Sequence, residues 1–513
     1  MPNNPLRLPF PMGGVSKRFG HSDQPPSTTP SALNVWPAQP STGRLRGGTR
    51  PDLTSLGGSV SGVPYHWCHL RYKGTGTNNQ TFVNRRIAVV HAGGTSVTAT
   101  GSSFGSAIIG TAPASDFCSV AAFQQVLLQA SIGTQYIYYY DYVAASGSNL
   151  TAAATAGTPP EYAGVICSWG GRVVVAGIKD EPHVVRGSAI GAYLDWDETS
   201  TDPDAAFSTT GAGNSAIGEA VVVAFAHNHE CLVVGGPDSI YMIRGNPASN
   251  SSGSIYLMSR GVGPLMMAAI CKGAHPQGGD VTYMMTRMGP AFIPEGCGSA
   301  PQMIGIEQIP DELVGVDPGS GDYAACAFDY RWNLLHVYVN RNGGSESYLT
   351  FDPKRNAWWP MTFGSTLRLV ADMPWLGSND VASVMAMTSG GAAYSFDASS
   401  PSESIASHVD YGPFVMGASP GQEGLLTGFS AVLAEDSDDV TYDAYVGASE
   451  QEAANSSTSL HTDSLATLGF NARRHPRLRG YAGRARLSAS GSNRLSVEDV
   501  LPTIASVSER RVP

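Results

Sequence analysis

His66-Trp-Cys-His69 and His227-Asn-His-Glu-Cys231 are the two places in the sequence where ligating side chains crowd together. In a strand, His227 and His229 would share a face, so joint ligation is geometrically allowed. Zinc sites, however, usually pair C-x₂₋₄-C with H-x₃₋₅-H, and neither spacing occurs here. A polar turn between two strands accounts for the second cluster better. Gly101-Ser-Ser-Phe-Gly105 and Gly417-Ala-Ser-Pro-Gly421 both match G-x-S-x-G. A nucleophile elbow needs that turn between a buried strand and a helix, with an acid and a His following, and neither context supplies this. The acidic run Glu435-Asp-Ser-Asp-Asp439 opens like a calcium loop, but Val440 stands where the third ligand belongs, so a solvated hairpin turn is expected. P-loop and G-x-G-x-x-G patterns are absent. The sequence therefore predicts no catalytic residues, no cofactor and no metal.

The elements that would have to position any chemistry are strands. Of 513 residues, 60 are Gly and 34 are Pro, about 18% together against an average near 12%, while charged residues are only 14%. Few charges and many turn formers exclude coiled coils and helical bundles and favour an all-β chain. From about residue 85 to 400 one unit recurs: apolar strand, polar turn, apolar strand, turn, third strand. Units start near residues 118, 165, 221, 281, 325 and 382. Multi-stranded repeats of about 40–50 residues mark propeller blades. The expected fold is all-β, a β-propeller of about six blades, with an incomplete unit near Arg86–His91 offering a closing strand. A large sandwich or barrel is the alternative. The methionines between Met258 and Met303 are expected in irregular core packing, or at an adaptable protein surface.

The ends differ from this body. Residues 1–62 hold ten prolines, which fix φ and remove amide donors, with Leu8, Phe10, Leu33, Val35 and Trp36 interspersed. They read as an extended docking arm. Residues 63–400 would be the propeller. Residues 401–513 read as a small C-terminal β domain that packs with the arm as a platform. Net charge is −11, yet residues 1–50 carry +5 and residues 471–513 carry +6, leaving −22 between them. Basic ends on an acidic body suggest docking, and Trp36, Arg44, Arg46, Arg50, Arg473, Arg474, Arg477 and Arg479 are the expected interface residues. Only Tyr481 interleaves Arg473 to Arg486, which argues against specific nucleic-acid reading. Seven dispersed cysteines without C-x-x-C read as free buried thiols of a reducing cytosol. Prolines near Met1 replace the apolar stretch of a secretion signal, and no apolar run reaches the roughly 18 residues of a membrane span.

Gly13-Gly-Val-Ser16, Asp23-Gln-Pro-Pro26, Pro30-Ser-Ala-Leu-Asn-Val35 and Gly43-Arg-Leu-Arg-Gly-Gly-Thr-Arg-Pro51 resemble the opening of the tail nozzle (tail tubular protein B-like) proteins of short-tailed bacteriophages. Phe351-Asp-Pro-Lys-Arg-Asn-Ala-Trp-Trp359 and Pro476-Arg-Leu-Arg-Gly480 extend the resemblance along the chain. It implies a structural virion protein, one of six propeller-bearing subunits in a ring that forms the distal DNA-ejection channel. The implied partners are sister subunits, a tail adaptor ring, tail fibres and the host outer surface, with double-stranded DNA passing through unbound. Assembly would take place in the host cytoplasm. Two rivals stand beside it. A receptor- or glycan-binding propeller would use aromatic pockets, with Trp196, Trp358, Trp359 and Trp375 as candidates. A polysaccharide-degrading propeller would need clustered carboxylates such as Asp195, Asp197 and Asp202.

Overall fold

The computed structural model describes residues 6–507 except 26, 39–45, 76–80, 100–103, 114–116, 133–134, 211–216, 246, 248–253, 276, 297, 306–307, 309–312, 345, 374–382, 398–403, 418–421, 467 and 472–474. Runs such as Val165–Trp169 and Val173–Val175, rich in β-branched residues and bounded by Gly-Gly, pair as antiparallel hairpins buried on both faces. Among the described residues, successive hairpins build seven blades of three or four strands, the second and third joined by one pair, Ser131 with Ala163. Their first strands are Pro64–Thr75, Cys118–Phe123, Ala163–Trp169, Val223–Ala226, Ile270–Ala274, Tyr323–Asp329 and Leu367–Met373. We number the blades 1 to 7 in that order.

Each first strand packs on the next, with Met267–Ala269 mediating between blades 4 and 5, and the last returns to the first. The ring is thus closed, and the chain is a propeller with seven blades rather than about six. Two of the expected repeat starts, 281 and 382, fall on or beside second strands, Asp280–Thr286 and Ser383–Thr388, which made the spacing look irregular. Residues 86–91, expected to supply a closing strand, belong instead to the middle strand of blade 1, Thr81–His91.

The closing strand comes from the segment assigned to the arm. Asp52–Ser59 pairs antiparallel with Ala392–Asp397, Phe396 opposite Leu53, and becomes the outer strand of blade 7. The boundary at residue 62 therefore cuts off part of the ring. A ring closed by strands from both ends of the propeller segment cannot open without breaking that seam.

Residues 407–506 form a sandwich of two five-stranded sheets. One runs Ser407–Val415, Ala482–Ala489, Val440–Gly447, His461–Leu465. The other is built on Gly424–Leu433 and Val497–Ser506, with Gly469–Phe470 and Leu478–Gly480 beside the former. The N-terminal segment completes both: Leu8–Pro9 pairs with Val497–Ser506, and Ala32–Leu33 pairs with Ser407–Val415. Between these two points the segment also touches blade 6, where the Val15 and Asn34 amides donate to Trp358 and Pro360 carbonyls. Phe10 stacks on Trp359 at 5.4 Å.

Cys231 is disulfide-bonded, contrary to the expectation of seven free thiols. Cys68, Cys118, Cys167, Cys271 and Cys326 are free, and Cys297 lies outside the described residues. All five free cysteines sit on first strands, where a small apolar side chain fits the narrow centre of the ring.

Because Asp52–Ser59 is part of blade 7, deleting residues 1–59 leaves Phe396 and its neighbours uncovered. The expected outcome is a chain that loses its cooperative urea transition, measured by tryptophan fluorescence. An unchanged transition would show that the ring does not need this strand.

Candidate functional site

The residues expected to dock partners are placed first. Trp36 is fully buried between blades 6 and 7, its ring 5.8 Å from His336 and 5.9 Å from Phe396, and its indole N–H meets Met361 Sδ at 3.2 Å. Arg50 is also buried. It donates to the Asn34 side chain at 3.3 Å, the Pro51 carbonyl at 2.8 Å and the Thr362 carbonyl at 3.1 Å, and lies over the Phe363 ring. Asn34 adopts a left-handed φ of 54° and ties the same point to Thr362 Oγ1 and the Ala406 carbonyl. Asn tolerates that conformation better than most residues. One node therefore joins the arm, blade 6 and the start of the sandwich.

Arg46 bonds Glu498 at 2.6 Å and approaches Asp436 at 3.7 Å. The acidic run 435–439 is the expected turn, with Glu435, Asp438 and Asp439 exposed, and it also anchors the arm through Arg46, while Asp438 accepts the Arg494 amide. Trp36, Arg46 and Arg50 were expected between subunits, but the structure buries them within the chain. A sequence shows charge but not the distant partner that neutralises it. Arg44, Arg473 and Arg474 lie outside the described residues.

Much of the C-terminal positive charge is likewise held internally. Asp410, fully buried, takes Arg484 at 2.8 Å and Arg486 at 2.6 Å, and Arg484 also lies 3.9 Å over the Tyr445 ring. Arg494 pairs with Asp52 at 3.2 Å, linking the sandwich to the closing strand. Arg479 pairs with Glu423, and both it and Arg477 remain exposed on the sandwich surface.

Those two arginines share a region with an uncovered edge. The arm caps one edge of each sheet, Leu8–Pro9 on one and Ala32–Leu33 on the other. The opposite edges, His461–Leu465 and the short strands Gly469–Phe470 and Leu478–Gly480, pair with nothing further among the described residues. Here Leu460, Leu468 and Phe470 are 58%, 55% and 62% exposed. Open strand edges bordered by large apolar side chains are the features soluble monomers usually avoid.

At the propeller axis lies a cavity of about 290 Å³, lined by first strands of six blades and including His66, Trp67, His69, Lys272 and Asp372. Met267–Ala269, wholly buried, touches first strands of blades 1, 4 and 6, so it lies across the axis and stoppers it. The methionine-rich stretch supplies this plug through Met266 and Met267, although Met288 is exposed. His66 accepts from the Val120 amide at 3.2 Å, and burial pulls its pKa down to about 4. The His69 ring is 2.6 Å from the Asp372 carbonyl. Burial raises the Cys167 thiol to about 12, so it stays protonated.

The remaining sequence candidates scatter. His227 is buried against Thr282 at 2.8 Å while His229 is exposed, and Asn228 caps the Glu230 and Cys231 amides in a polar turn. Among the described residues no cluster of three ligating side chains exists. Trp196, Trp358 and Trp359 are fully buried core residues, and Trp375 lies outside the described residues. Asp195, Asp197 and Asp202 cap successive amides of one surface loop. The two G-x-S-x-G stretches fall largely outside the described residues. Among those residues no helix is long and apolar enough to cross a membrane.

No family model matches the chain, and no curated protein matches it. Among solved structures, virginiamycin B lyase from Staphylococcus aureus is similar at 10% identity and a TM-score of 0.40, over 67% of this chain and 98% of that one. The WD40 repeats of RRP9 are similar at 8% identity and a TM-score of 0.36, over 68% and 99%. The extracellular domain of the putative hybrid two-component system BT4673 from B. thetaiotaomicron is similar at 10% and 0.40, over 88% and 59%. The fold rests on the chain's own strand pairing.

Two outcomes are expected. Asp410→Ala strands two guanidinium groups and lowers the unfolding free energy by about 3–5 kcal/mol, read from urea melts. A loss below about 1 kcal/mol would mean that the pairs are solvated. Acid should also destabilise the fold. Burial holds His66 and His408 near 4 and His336 near 3, so between pH 6.5 and about 4 the unfolded chain binds protons that the fold refuses. Stability is complete above pH 6.5 and falls as pH drops through that window. Asp329, raised by burial to about 6, opposes this, but it is one group against three. The urea midpoint at pH 5 should lie below that at pH 7.5, and an equal or higher midpoint would contradict the assignment.

Proposed function

We propose that the chain is a structural subunit of a tail nozzle of a short-tailed bacteriophage, assembling head to tail into a ring that forms the distal DNA-ejection channel. The observation that carries this reading is the open edges of the sandwich, where Leu460, Leu468 and Phe470 are exposed and Arg477 and Arg479 stand exposed further along. Covering each such side chain contributes about 1.5–3 kcal/mol, enough for three together to favour a neighbour. The arginines suit a partner from the −22 body of the next copy. A patch that meets a different surface of its neighbour makes a heterologous contact, which gives a ring where the rotation between neighbours closes and a filament where it does not.

The sequence resemblance names the kind of ring. Its N-terminal motifs lie in the segment that completes both sheets of the sandwich and leads into the closing strand. The propeller axis is stoppered, so the channel in this reading runs between subunits and not through the blades. An acidic wall would repel phosphates and let DNA slide without adsorbing. The adaptor ring and tail fibres are the further partners, and no reaction is assigned.

Light scattering after gel filtration and end-on electron-microscope class averages test the proposal. Rings are expected from the purified chain. The variant Leu468→Asp/Phe470→Asp should be monomeric with unchanged melting, because both side chains are exposed. A parent chain that stays monomeric at tens of micromolar, or rings that persist in the variant, would overturn the assignment.

A further inference from the structure

Blade 1 differs from the other six in the length and the charge of its first hairpin. Its first strand, Pro64–Thr75, has 12 residues, whereas the other first strands have between four and seven. The third strand, Gly94–Ala99, pairs with Arg86–His91 and ends there. Beyond that point residues 71–75 and 81–85 pair only with each other among the described residues, from Arg71 opposite Arg85 to Thr75 opposite Thr81. Five paired positions at about 3.4 Å each make a two-stranded ribbon about 17 Å long.

The two faces of this ribbon have different company. On one, Tyr72 stacks on Tyr142 of blade 2 at 5.2 Å, and the Arg86 guanidinium lies 5.1 Å over the same ring. Side chains alternate along a strand and directly opposed residues share a face, so Arg71, Lys73 and Arg85 stand together on the other. Arg71 and Lys73 are exposed, and among the described residues neither meets a carboxylate. Asp372, which blade 7 brings beside this strand, lies 3.7 Å from His69, two residues before Arg71. Residues 53–115 hold four cations and no acid. Residues 51–470 as a whole carry −22, so the remainder of that body carries −26 around a stretch of +4.

We infer that this ribbon binds the phosphate backbone of double-stranded DNA. The major groove of B-form DNA admits a two-stranded β-ribbon. Residues two apart on a strand lie about 6.7 Å from one another, close to the distance between successive phosphates of one DNA strand, so Arg71 and Lys73 can each meet one. Arg85 brings a third cation beside them. The contact is electrostatic and indifferent to base sequence, and the acidic remainder of the chain confines it to the ribbon. Contacts of this kind let DNA slide, so the ribbon holds a duplex without arresting it. The inference stands apart from the nozzle reading, because it needs neither a ring nor a virion.

The test is fluorescence anisotropy of a labelled DNA duplex of random sequence, titrated with the intact chain. Binding is expected at about 50 mM salt and should weaken roughly tenfold to fortyfold by about 200 mM, as two or three neutralised phosphates require. Arg71→Gln/Lys73→Gln should weaken binding at least tenfold without moving the melting temperature, because both side chains are exposed. Arg477→Gln/Arg479→Gln removes the same charge from the sandwich and should leave binding unchanged. No binding at low salt, equal weakening by both pairs of substitutions, or full binding by Arg71→Gln/Lys73→Gln would overturn the inference. Rings lost in that variant while DNA binding persists would assign the ribbon to a sister copy instead. Ring formation by the parent chain is read from light scattering, so a failure of the nozzle reading shows there and not in this titration.

Discussion

A buried guanidinium that donates to several acceptors at once holds the segments carrying them in one plane, and Arg50 does this where ring and sandwich meet. Its acceptors belong to the arm at Asn34, to its own neighbour Pro51, and to blade 6 at Thr362. Two residues later the closing strand begins at Asp52, itself paired with Arg494 of the sandwich. The geometry of the seam, the angle of the arm and the position of the sandwich all follow from this node. Lysine could not replace it, because a single ammonium lacks the planar fork that reaches separate acceptors.

The ring gains from this arrangement what an open stack of sheets lacks. Each blade is a small sheet with apolar faces that only its neighbours can cover, so the stack needs either capping units or closure. Closure by Asp52–Ser59 makes the last blade depend on a segment that precedes the first blade in the chain. The residues before that strand cap one edge of each sandwich sheet. Among the described residues, the far edges of the sandwich sheets are left without such a cap.

The fold class was legible because strand alternation and turn residues are local. Blade phasing was not. Ile270–Ala274 follows an apolar, methionine-rich run, and Leu367–Met373 contains Arg368 and Asp372, so neither reads as a first strand. A usable phase marker was present. Asp141, Asp329 and Asp352 each cap amides two residues on, and each is followed four residues later by a left-handed residue, Ala145, Asn333 or Asn356. That spacing marks a hairpin turn and would have placed one turn of blade 2 and two turns of blade 6. The internal roles of Arg46, Arg484 and Arg486 could not be read, since their partners lie up to 452 residues away. Only the pairing of distant strands brings such charges together.

The dependence of the ring on its N-terminal strand is most directly tested by hydrogen–deuterium exchange. If Asp52–Ser59 is the outer strand of blade 7 and Arg50 holds it there, peptides covering 52–59 and 392–397 should be protected to the same degree and should lose protection together in Arg50→Ala. Rapid exchange of 52–59 in the parent chain, with 392–397 still protected, would contradict the account.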